Sequence, residues 1–261
     1  TTEGPFSKKS DASYLIGYRY ALAGVAQKLG VNIGTTATPT YQDLSFKFNS
    51  GNSKLGRISL FGILASSSIN IGGGSSNTLY GNGNQVDFAS KIGILGFNHF
   101  KQFSKKSYLS SNLGVSYSST DQSAYDFDRM TNENYIREVS NVAKTNYNIN
   151  TAYNTKINSR LFVKVGLQDE IIALNLYYKT KNNIIEPYKQ IWDYNSYTNL
   201  AQAFAVLKYN ITDKLTLNAG LHAQVFLLNN SKAFEPRLGL IYNISNKSSF
   251  NFAFGQHAQM Q

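Results

Sequence analysis

The sequence predicts an all-β chain forming part of an antiparallel, up-and-down transmembrane β-barrel, about eleven strands of a larger wall. Three observations predict it: apolar and polar residues alternate with a period of two, short and long connections take turns, and the polarity is uncharged and aromatic. Charged residues make up only 15% of the 261 residues, and 18 Tyr and 16 Phe accompany abundant Asn, Ser and Thr. A soluble domain carries about 25% charge, so this mixture fits strands with one face in lipid and one in water.

The first strong alternation sets Tyr14, Ile16, Tyr18 and Tyr20 against Ser13, Gly17 and Arg19, and the next sets Leu44, Phe46 and Phe48 against Asp43, Ser45, Lys47 and Asn49. Further on, Leu161, Val163, Val165 and Leu167 oppose Lys164, Gly166 and Gln168. From Ile172, Leu174, Leu176 and Tyr178 the apolar parity switches, which predicts a bulge or kink near Asp169-Glu170. The clearest strand places Leu215, Leu217, Ala219, Leu221, Ala223 and Val225 on odd positions, with Thr216, Asn218, Gly220, His222 and Gln224 between them. Leu238, Leu240, Tyr242 and Ile244 then alternate with Arg237, Gly239 and Asn243, and Phe250, Phe252 and Phe254 with Asn251, Gly255 and His257. Helical spacing would scatter these residues around a cylinder.

Tight connections are expected at 50–53, 104–106, 158–159, 212–214 and 246–247, and long ones at 23–39, 66–85, 118–144, 179–194 and 228–235. In outer-membrane barrels the tight turns lie on the periplasmic side. Strands of roughly nine or more residues suffice for a tilted crossing. No window approaches the ~18 apolar residues of a spanning helix, which leaves a closed barrel as the membrane solution. The chain opens at Thr1 without a signal-like leader and reads as an excised piece.

Tyr18, Tyr20, Tyr41, Phe100, Phe103, Tyr117, Tyr177, Tyr178, Trp192 and Phe226 cluster toward strand ends, as interfacial girdles do. The net charge of +10 includes Lys8, Lys9, Lys54, Lys105, Lys106, Lys214 and Lys247 in or beside short turns. Dispersed one or two per turn, they read as solubilising and not as a nucleic-acid groove. The absence of Cys excludes thiol nucleophiles and Cys-ligated metals.

Several strings resemble the large TonB-dependent outer-membrane receptors of Bacteroidetes, in particular those with a carboxypeptidase-like regulatory domain ahead of plug and barrel. They are Glu3-Gly4-Pro5-Phe6, 13–20, 39–47, 209–222, Phe234-Glu235-Pro236-Arg237-Leu238-Gly239-Leu240 and 254–261. The resemblance spans nearly the whole chain and touches barrel segments only. It implies a parent in the bacterial outer membrane with a 22-stranded barrel, a plug and a regulatory domain. Such a parent imports a scarce nutrient: a metal chelate, a cobalamin-like compound or an oligosaccharide. The implied partners are outer-membrane lipid, the plug and remaining strands, the inner-membrane TonB complex acting through the plug, and a small ligand.

The reading is therefore non-enzymatic, with no cofactor and no catalytic or metal residues. Lumen-facing candidates are Arg19, Lys47, Lys164, Asn218, His222, Gln224, Arg237, Asn251 and His257. Of these Arg19, Lys47, Lys164 and Arg237, joined by Lys91, would bias a channel toward anions. His222 and His257 share the polar parity but lack helpful carboxylate spacing, so a metal role is the weaker reading. Asp126 and Asp128, with Asp121 and Glu133, lie in an expected long loop without the spacing of an EF-hand, and read as solvated. Gly81-Asn82-Gly83-Asn84-Gln85-Val86 lacks the third Gly and the helix of a dinucleotide fingerprint. The alternatives are a soluble β-rich carbohydrate-binding module and a small outer-membrane barrel enzyme.

Overall fold

A computed structural model of the chain describes residues 1–9, 11–21, 37, 39–72 and 85–258. These form twelve strands: β1 (Thr2–Pro5), β2 (Ser13–Tyr20), β3 (Thr40–Asn49), β4 (Arg57–Gly72), β5 (Gln85–Ser104), β6 (Ser107–Asp128), β7 (Glu133–Lys156), β8 (Leu161–Thr180), β9 (Lys189–Asn210), β10 (Leu215–Phe226), β11 (Ser231–Ser245) and β12 (Ser248–Gly255). Each pairs antiparallel with its sequence neighbours in one continuous sheet, the up-and-down order that the sequence predicts. The strand beyond the expected eleven is β1, whose Gly4 and Pro5 carry no alternation. Among the described residues β1 and β12 pair on one side only.

The sheet has no interior. Among the described residues the buried hydrophobics are Ala21, Ala124 and Ala152, and no large side chain is fully buried. Leucine, tyrosine and phenylalanine stand exposed instead, with Leu221 at 48% and Phe252 at 60% of full accessibility. A soluble sandwich would bury such residues between two layers, and here there is one layer.

Cross-strand register sorts the side chains, because directly opposed residues share a face. Leu217 is opposite Tyr209 and Leu240, and Leu240 opposite Phe252; Ala219 is opposite Leu207 and Leu238. This Leu217 face continues through Val163, Tyr153 and Leu109 to Leu95, Leu64, Leu44 and Tyr18. The opposite face, called here the His222 face, carries the alternate residues.

Apolar residues on the Leu217 face form an oblique belt. The hydrogen-bonded row through Gly62, mid-belt on β4, runs by Leu95, Val115, Tyr147 and Ile171 to Asn199, whose carbonyl accepts from Leu227 beyond the end of β10. Mid-belt on β10 is Ala219, so the belt drifts a little over one residue per strand toward the tight turns. With a rise of about 3.4 Å and a strand spacing of about 4.8 Å, that drift is a tilt of about 40°, as barrel closure requires.

Three expectations are corrected. The ladders run unbroken through Asp169 and Glu170; the irregularities lie between Tyr178 and Lys179, Gln102 and Ser104, Ala124 and Tyr125, and Asn243 and Ser245. The apolar set in β8 therefore changes face along a regular strand. Second, 118–144 is mostly ladder: β6 and β7 have 22 and 24 residues and meet in the four-residue turn 129–132, closed by Asn132 at φ 58°. Asp121, Asp126, Asp128 and Glu133 are thus strand residues. Asp128 caps the turn by accepting from Met130 N at 2.8 Å and Thr131 N at 3.2 Å. Third, the girdle is split: Tyr18, Tyr20, Phe103, Tyr117 and Tyr177 are on the Leu217 face, whereas Tyr41, Phe100, Tyr178, Trp192 and Phe226 have the other parity. The Gly-Asn string at 81–84 lies outside the described residues.

Candidate functional site

Register places Arg19, Lys47, Lys164, Asn218, His222, Gln224, Arg237 and Asn251 together on the His222 face, and His257 continues its parity past β12. Lys91 differs. It is opposite Ser66 and Ser119 in the rows of the Leu217 face, so its even-numbered neighbours, not Lys91, share a face with Lys47.

A hydrogen-bonded group on the His222 face surrounds Glu235, which is 3% exposed. The β10–β11 register sets Glu235 opposite His222, and the β9–β10 register sets Gln202 opposite Gln224. The Glu235 carboxylate accepts from Arg237 Nη2 at 2.6 Å, Ala258 N at 3.0 Å and Gln224 Nε2 at 3.2 Å. Gln224 also donates to Ala258 O at 3.3 Å. His222 Nδ1 lies 3.3 Å from Glu235 Oε2 without hydrogen-bond alignment, and Nε2 is 3.0 Å from Gln202 Oε1. A carboxylate this buried persists only when paired and hydrogen-bonded, so these partners fix β9, β10, β11 and the segment after β12 to one another. The sequence reading found His222, Gln224 and Arg237 by parity but missed Glu235. Its signal was the odd parity it shares with Arg237.

The other cations are separate. Arg19 donates from Nε to Asp43 at 2.9 Å, with its side chain 78% exposed. Lys164 Nζ sits 5.3 Å from the centre of the Phe204 ring. That ring lies flat across Gly166, where an added Cβ would come within 2.4 Å of it, so glycine here gives the ring its seat. Phe61 covers Gly96 in the same way, opposite Lys47. Asn218 packs against Gly239, and His257 against Gly255. Toward the tight turns, a cleft of about 580 Å³ on this face is lined by Asn49, Ser59, Asn98 and Asn112.

Beyond the belt, the long-connection end has its own cluster. Lys179 and Lys181 stand 4.4 Å and 5.0 Å from the Tyr188 ring, and Lys181 is 5.2 Å from Tyr135. Tyr188 donates to Ile136 O at 2.8 Å and Tyr135 to Asn182 O at 3.0 Å, tying the β8–β9 connection to β7. Burial, with the Asp126 carboxylate second, pushes the Tyr135 phenol above its ordinary range.

The acidic residues considered for chemistry do not converge. Asp169 accepts from Asn199 at 2.8 Å on the Leu217 face, and Glu170 takes the opposite parity. Asp126 is 4.0 Å from Arg137. The His222 face thus carries hydrogen-bond donors and cations.

No protein-family model and no curated protein matches the sequence. Among solved structures the fold is similar to the ferric-catecholate import receptor Fiu of E. coli K12 in its open form, with 12% identity and a TM-score of 0.56 over 94% of this chain and 48% of that one. It is also similar to the copper transporter OprC, with 13% identity and a TM-score of 0.59 over 90% of this chain and 41% of that one. A third is FpvA of P. aeruginosa in complex with a ferric pyoverdine, with 10% identity and a TM-score of 0.59 over 94% of this chain and 38% of that one. The chain spans less than half the length of each. At such identities the likeness is one of fold.

Proposed function

We propose that this chain is a barrel-wall segment of a TonB-dependent receptor in the bacterial outer membrane, of the Bacteroidetes type with plug and regulatory domain. Its parent binds and imports a scarce nutrient: a metal chelate, a cobalamin-like compound or an oligosaccharide. The observation that carries the reading is a single coreless sheet whose one apolar belt drifts by the tilt a closed barrel needs. The fold likeness to receptors and transporters named for ferric catecholates, copper and pyoverdine supports it.

In this reading the Leu217 face meets lipid and the His222 face lines the lumen. Lys47, Lys164 and Arg237 hold the lumen positive for an anionic ligand or for carboxylates of the plug. The wall contributes passage and electrostatics and performs no bond chemistry. A strain lacking the parent gene tests this by growth on limiting ferric catecholate, copper chelate, cobalamin or oligosaccharide. A defect on one of them, rescued by the parent but not by a parent lacking its TonB-coupling segment, is expected. Normal growth on all four, or rescue by the uncoupled parent, contradicts it.

A further inference from the structure

Charge is distributed unequally along the strands. The six connections at the tight-turn end of the sheet, 6–12, 50–56, 105–106, 157–160, 211–214 and 246–247, hold eight of the 25 Lys and Arg, at least one in each: Lys9, Lys54, Lys106, Arg160, Lys214 and Lys247 mark them in order. The same turns hold only two of the 15 carboxylates, Asp11 and Asp213. The remaining acids lie within strands or in the β8–β9 connection. All five ion pairs among the described residues involve Arg19, Arg137, His222 or Arg237, none of them in a tight turn. The tight-turn cations therefore have no carboxylate within 4.0 Å among the described residues, and they outnumber the carboxylates of these turns eight to two.

Apolar side chains flank these cations. Leu55, 71% exposed, follows Lys54, and Phe103, 59% exposed, precedes Lys105. Ile157 stands three residues from Arg160, and Phe250, 72% exposed, three from Lys247. A cation on a long stem just past an apolar belt is placed where headgroup phosphates lie, its methylenes along the hydrocarbon edge. Solubilising turns would not need this apolar flanking.

We infer that the tight-turn rim is a binding surface for anionic phospholipid headgroups, in the leaflet that these turns face. The inference rests on the Leu217 face meeting lipid, and its readout is independent of import. A parent that fails every growth test yet enriches anionic lipid leaves it standing.

The test uses the parent receptor, purified in nonionic detergent, stripped of lipid and offered equal phosphatidylglycerol and phosphatidylcholine, with retained lipid counted by native mass spectrometry. Retention of phosphatidylglycerol about fivefold over phosphatidylcholine is expected, falling to parity at 0.5 M salt, a concentration about three times physiological, as screening demands. Changing Lys9, Lys54, Lys106, Lys214 and Lys247 to Glu should abolish the preference, and Lys91→Glu with Lys232→Glu, outside these turns, should leave it. Heat-modifiable migration reports folding, and Gln at the same five positions replaces Glu if the reversed form does not fold. Equal retention of the two lipids, or a preference that survives the five substitutions in folded protein, overturns the inference. Displacement of the lipid by soluble polyglutamate or inorganic phosphate at matched charge also overturns it, and assigns the rim to a soluble acidic partner or a free anion.

Discussion

Strand β10 and the upper half of β8 belong to the same sheet and obey opposite rules. On β10 the Leu217 face is apolar and the His222 face polar. On β8 that order holds from Leu161 to Leu167 and then inverts, so that Ile172, Leu174 and Leu176 take the His222 face. There they neighbour Val142 and Tyr194 in register, while Asn175, Asn195, Asn141 and Asp121 take the other. The backbone does not register the change. A bulge would have kept the apolar residues on one face by adding a residue; here the residues stay in register and the apolar set changes face. In the proposed reading the lower wall meets lipid outside and water inside. In the same reading the upper wall, formed by the long-connection halves of β6, β7 and β8, meets water outside and makes apolar contact inside.

The comparison breaks first at the belt. Leu217→Arg or Leu221→Arg should cost about 2–4 kcal/mol in the assembled barrel, and Asn218→Arg much less. Urea unfolding in lipid vesicles measures both, and equal costs would refute the facing. Next is the Glu235 group: Arg237→Met removes the charge-assisted bond at 2.6 Å and should lower stability measurably. Gln224→Ala, read by the same unfolding curve, should cost about half as much. In the upper wall the order of faces should invert, with Leu174→Asn costing about 1–2 kcal/mol in burial and its neighbour Asn175→Leu within about 0.5 kcal/mol. If Asn175→Leu stabilised the lipid-embedded form strongly, the belt would extend further than proposed. The isolated chain, exposing two unpaired edges and the whole Leu217 face, should sediment as aggregate in plain buffer and remain dispersed in detergent.

Much of this was legible in the sequence where the surroundings differ sharply between faces. The run Leu215 to Val225 reads unambiguously because apolar and polar side chains alternate at every step, and the same parity placed His222, Gln224 and Arg237 on one face. The length of β6 and β7 was not legible. Ser, Thr and Asn at 116–123 and 140–148 carry no contrast, and a hydrogen-bonded ladder in water looks like a loop. The parity switch at Asp169-Glu170 is ambiguous in one dimension, since a bulge and a change of medium produce the same string. Glu235 required the register that sets it opposite His222, which depends on the turn at 227–230. Lys91 was misassigned because Ile92 and Ile94 suggest one apolar parity and Leu95 and Phe97 the other, and only pairing with β4 and β6 decides.

The most direct test uses a cysteine-free background of the parent, to which this chain contributes no cysteine. Single cysteines placed through 215–225 and 161–177 of the parent in outer-membrane vesicles, spin-labelled and compared for access to oxygen and to a water-soluble nickel chelate, report the medium at each position. The account predicts oxygen-rich odd and nickel-accessible even positions on β10. On β8 it predicts the same through 167, with odd positions becoming nickel-accessible by 175. Uniform accessibility along β10, or odd positions that stay in lipid to 177, would contradict it.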